Sequence, residues 1–105
     1  MKINGKELGL AYTVGAHCEW DSYIVKNQQT AVSEAQIERI MIMHRAWCRA
    51  NKVPDAQKVT RDEILSQPNR IFDEMVNLAE ATAKADSEVT IEAESKNARS
   101  TEATG

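Results

Sequence analysis

Residues 33–51 read SEAQIERIMIMHRAWCRAN, and this stretch decides the fold. At a helical rotation of about 100° per residue, Ile37, Ile40, Met41, His44, Trp47 and Cys48 fill one broad apolar band. Glu34, Glu38, Arg45 and Arg49 line the opposite face. Ser33 followed three residues later by Gln36 is a capping-box pattern, so a helix is expected over 34–51. Lys52-Val53-Pro54 ends it, because proline disfavours helical geometry in the residue before it. A helix with a band this wide needs cover from its neighbours in the chain.

Upstream, Asn4-Gly5 marks a two-residue turn, since both residues accept the positive φ of a type I′ hairpin. The second arm then alternates, with Leu8, Leu10 and Tyr12 on one side and Glu7, Gly9 and Ala11 on the other. An isolated hairpin is marginal in water, so its apolar side is expected to pack on the helices that follow. Thr13 can cap a first helix over 14–25. In that helix Val14, Cys18 and Val25 share a stripe, and Trp20, Tyr23 and Ile24 fall on another side.

Downstream, Thr60 with Glu63 is a second capping box, opening a short helix through Ile64 and Leu65. Pro68 suits the first turn of a last helix. That helix directs Ile71, Phe72, Met75, Leu78 and Ala79 to the core and is expected to fray over 81–85. From 87 onward the only large apolar residues are Val89 and Ile91. Such a segment cannot offset its ordering entropy, and a disordered tail is expected. The alternation at 89–92 leaves a short edge strand as the alternative. The expected class is therefore α+β, mainly α. An N-terminal β-hairpin (1–12) packs on three to four helices (13–86), forming one globular domain over 1–86 with a flexible polar tail over 87–105.

With 105 residues, 42% of them hydrophobic and 28% charged, the chain fits a single soluble domain. Its longest clean apolar run, Ile40-Met41-Ile42-Met43, is far short of the ~20 residues of a membrane helix. Net charge is −3 and the pI about 5.4. A nucleic-acid binder more often has a pI above about 9, so DNA and RNA are disfavoured as partners. The basic cluster Arg39, Arg45, Arg49 and Lys52 reads better as a solvated face, since Glu34 and Glu38 share it.

Four residues raise the question of chemistry. His44 and Cys48 are four apart on one helix, and His17-Cys18 on the first helix could complete a zinc set. Tight CxxC or HxxxH pairs are lacking, and both cysteines sit on apolar stripes, so buried thiols without metal are the favoured reading. A Cys–His nucleophile would need an orienting third group, for which Asp21 and Glu19 are the nearest acids. Nothing resembles a catalytic loop, and Gly5, Gly9, Gly15 and Gly105 form no phosphate-binding motif. No enzyme activity, cofactor or metal is expected. The apolar excess points to binding. Ile42 falls on the polar face, Met43 and Trp47 flank the apolar band, and Trp20 lies on the odd face of the first helix. These four are the candidate partner-binding residues.

The order of elements carries a resemblance. Met1-Lys2-Ile3-Asn4-Gly5-Lys6-Glu7-Leu8 leads into Tyr12-Thr13-Val14-Gly15-Ala16. Helices follow, then Thr60-Arg61-Asp62-Glu63-Ile64-Leu65 and a tail with Val89-Thr90-Ile91-Glu92-Ala93-Glu94. This resembles the small tail assembly chaperones of long-tailed bacteriophages and prophages, most closely over 1–25. His17, Cys18 and Trp20 depart from the plainer residues of that family. The resemblance implies a protein of the infected host cytoplasm, not expected in the mature virion. It would coat the tape measure protein, keep it soluble and help recruit tail tube subunits. Self-association is compatible with that role, and the family brings no catalytic residues. Another phage or prophage structural or connector protein, and a small DNA-binding regulator, are the competing readings.

Overall fold

The computed structural model describes residues 1–87 in full and, beyond them, only the helical course of the last helix. Two short antiparallel strands, β1 (Lys2–Ile3) and β2 (Lys6–Glu7), are followed by helices α1 (Val14–Lys26), α2 (Val32–Asn51), α3 (Arg61–Leu65) and α4 (Asn69–Thr104). A single 3₁₀ turn, Asp55–Gln57, precedes α3. The architecture is α+β, mainly α, as expected. The edge strand weighed at 89–92 does not form, because α4 runs through those residues; from 88 onward the tail read over 87–105 lies outside the fully described residues.

The hairpin forms as its turn chemistry dictates: Asn4 and Gly5 take φ of 51° and 80°, and Lys2 pairs Glu7 while Ile3 pairs Lys6. The expected long second arm does not form. β2 stops at Glu7 because β1 offers only two residues to pair with. Residues 8–12 instead run as a strap across α2. The Leu8 N–H donates to the Met1 carbonyl at 2.8 Å and the Ala11 N–H to the Met43 carbonyl at 3.1 Å. The Tyr12 N–H reaches the Asp86 carboxylate at 2.7 Å. Gly9 is required here: a Cβ at this position would stand 2.0 Å from the Trp47 ring.

The main core lies between hairpin, α2 and α4. Ile3, Leu8, Ile40, Met43, Val59, Ile64, Met75, Ala79 and Ala83 are buried in it. The fraying expected over 81–85 is not seen. α4 continues through that stretch because Ala83 extends the Met75–Ala79 row at four-residue spacing and stays buried. Ile71, Phe72 and Val76 pack partly exposed against this core. Pro68 sits just before α4, and its carbonyl accepts the Ile71 N–H at 2.9 Å.

One capping box forms and one does not. Thr60 and Glu63 exchange both bonds, at 3.2 and 3.0 Å. Ser33 is not a cap, because α2 starts two residues earlier than expected, at Val32, behind Ala31. α2 ends at Lys52 in the left-handed conformation, φ 52°.

Candidate functional site

α1 decides where apolar surface remains. Thr13 caps it, accepting the Ala16 N–H at 3.1 Å. The stripe Val14, Cys18, Val25 is not the buried one: Val14 and Val25 are 82% and 69% exposed, and Cys18 is exposed. α1 turns Ala16, Trp20 and Tyr23 inward, onto Ile42 and Ala46 of α2. The small side chains Ala16 and Ala46 let the two helices approach closely. The face of α2 read as polar is thus half covered by α1. This corrects two of the four binding candidates. Ile42 is 2% exposed beneath α1, and Met43 lies in the main core. Trp47 is partly buried over Gly9 and stacks on His44 at 5.9 Å. Of the four, Ile42, though nearly buried, lines a cleft between α1 and α2, and Trp20 lines another at the end of α1.

That cleft, about 230 Å³, lies where α1 ends and α2 begins, lined by Trp20, Tyr23, Ile24, Val32 and Gln36. Trp20 and Tyr23 stack at 5.7 Å with their planes 12° apart, and the Arg39 guanidinium lies 5.8 Å above the Trp20 ring. Val32 and Gln36 are shared with a second cleft of about 510 Å³, which continues to Phe72 and Val76 of α4. The two form one groove across the start of α2. Ile24, Val25 and Val32 are exposed at its end, Val32 to 77%. Gln36 Oε1 is buried there without a hydrogen-bond partner, which costs about 1–3 kcal/mol. Sequence patterning gave Trp20 but missed Val32, Phe72 and Val76. The three come from two separate helices, and only their packing brings them together.

The His/Cys set divides. His17 Nδ1 and the Tyr12 hydroxyl share a hydrogen bond of 2.6 Å, and Nε2 faces Asp21 at 3.4 Å. His44 is a buried clip on the other side of α2. Its Nδ1–H donates to the Gly9 carbonyl at 2.8 Å, and its Nε2 accepts the Val59 N–H at 3.0 Å. Two such partners fix a neutral Nδ1–H tautomer. Burial lowers the His44 pKa below its ordinary value and raises that of Cys48, whose Sγ stands 3.4 Å from Nε2. A thiol raised in this way is a poor nucleophile. Among the described residues, no group of three or more His, Cys, Asp or Glu is placed to hold a metal ion.

Of the arginines weighed for DNA, Arg45 and Arg49 are ion-paired, and Arg39 lies over the Trp20 ring. Glu19 meets both Arg45 and Arg49 at 3.4 Å, and Arg61 meets Glu34 at 2.6 Å and Glu38 at 3.1 Å. These half-exposed pairs are each worth at most about 1 kcal/mol, but they tie α1 and α3 to α2. No described helix is long and apolar enough to cross a membrane. The chain matches no protein-family model, no curated protein and no solved structure.

Proposed function

We propose that this chain is a tail assembly chaperone of the long-tailed phage type. In this reading it binds the tape measure protein in the host cytoplasm, helps tail tube assembly and is left out of the finished particle. The activity is binding alone, without a catalytic step. The partner is taken from the resemblance of the hairpin and the first helix start. The observation that carries the binding mode is the groove from Trp20 through Val32 to Val76, with the lone Gln36 acceptor in its wall. An amphipathic helix laid there would bury an apolar stripe against Trp20, Val32 and Val76. Weak contacts repeated by many copies along one long helical partner give avidity.

Co-expression with the tape measure protein of the same phage is the test. The expected result is more soluble tape measure protein, co-purification with this chain, and no trace of the chain in purified particles. No gain in solubility and no co-purification would overturn the proposal. Presence in particles would favour a connector role, and a salt-dependent shift of duplex DNA a regulator.

A further inference from the structure

We propose a second binding site on the opposite side of α2, built to take an acidic amphipathic peptide. It is a cleft of about 600 Å³ between the C-terminal half of α2 and the segment leading into α3. Met41, Cys48 and Val59 give it an apolar floor. Two walls carry cations: Arg45 and Arg49 stand on α2, Lys58 and Arg61 on the other side. The only carboxylate lining it among the described residues is Asp55, 2.9 Å from Lys58. Glu19, Glu34 and Glu38, which pair with the arginines, do not line it.

The balance of charge facing the cleft is therefore positive, in a chain whose net charge is −3. Arg45 meets Glu19 and Glu38, and Arg49 meets Glu19, each through one terminal nitrogen, which leaves further guanidinium N–H donors for a partner's acid. The arrangement selects the occupant. A lone phosphate or carboxylate would meet one wall and leave the floor wet. An extended or helical segment with acids on both flanks of an apolar side chain meets both walls and covers Met41. This site shares no lining residue with the Trp20 groove, so it stands or falls independently of the tape measure reading.

The probe is a fluorescein-labelled peptide with a leucine stripe flanked by glutamates, followed by fluorescence anisotropy against the full chain. Saturable binding is expected, weakened about tenfold by Arg49→Glu and by Lys58→Gln, and lost progressively with added salt. A Trp20→Ala variant should bind the peptide as tightly as the native chain. Thermal midpoints within a few degrees of native confirm that the variants fold. Lys58→Glu replaces either variant that does not. Equal binding of a peptide with glutamine for glutamate, or with serine for leucine, would overturn the proposal. So would no binding, or binding to phosphatidylglycerol vesicles in place of the peptide.

Discussion

α2 meets the hairpin, the 8–12 strap and α4 on one side and α1 on the other, and the two contacts are built differently. On the first side nine residues are buried in one cluster, and His44 fastens both the strap and the segment before α3. On the second side only Ala16, Ile42 and Ala46 are buried, with Trp20 and Tyr23 half covered and Glu19 ion pairs at the rim. The first contact carries stability. The second leaves apolar surface open to a partner, and local openings are drawn from such sparsely buried elements.

Equal truncations on the two sides should differ most. Met75→Ala removes a fully buried side chain from the main core and should cost about 2–5 kcal/mol. Trp20→Ala should cost less, roughly 1–2 kcal/mol, because the ring is only partly buried and lies at the edge of a small cluster. Urea unfolding of both variants checks the contrast, and a larger loss from Trp20→Ala would reverse the ranking of the two contacts. Hydrogen exchange should likewise release the α1 amides well before those in the middle of α2.

Acid separates the clips of the first contact. Burial lowers the His44 pKa, so the unfolded chain binds more protons there than the folded one. Its contribution is full above the unfolded value of about 6.5 and declines as pH falls below it. Glu63, bonded by Lys6 and by the Thr60 N–H, is lowered from 4.5 to about 2. Its contribution is full above 4.5 and declines as pH falls toward 2. Thermal midpoints should therefore drop in two stages on acidification. Glu63→Gln should remove the lower stage and leave the upper one. The smallest effect is expected at Lys52, where glycine would relieve the left-handed backbone and add roughly 0.5–1 kcal/mol.

What the sequence made legible follows the same division. Asn4-Gly5, the Thr60–Glu63 box and the α2 band are local patterns, and each formed as read. The covering of Ile42 was not legible, because a three-residue patch of Ala16, Ile42 and Ala46 leaves no periodic apolar stripe. The stripe that α1 does show, Val14, Cys18, Val25, faces outward. Ser33 lost its cap to a start two residues earlier, which no local pattern encodes. Half of the candidate binding set was therefore misplaced, since burial of Ile42 and Met43 depends on where α1 and the strap dock. Val32 and Phe72 entered the groove through packing between distant helices.

The most direct measurement is capture of the tape measure protein by two surface variants of matched stability. Val32→Asp places a charge in the groove, at a side chain 77% exposed. Leu65→Asp places the same charge on an apolar side chain 53% exposed that lines none of the described clefts. Co-purification lost with Val32→Asp and kept with Leu65→Asp is the expected result. Capture unchanged by Val32→Asp, or lost equally with both, would contradict the groove as the binding surface.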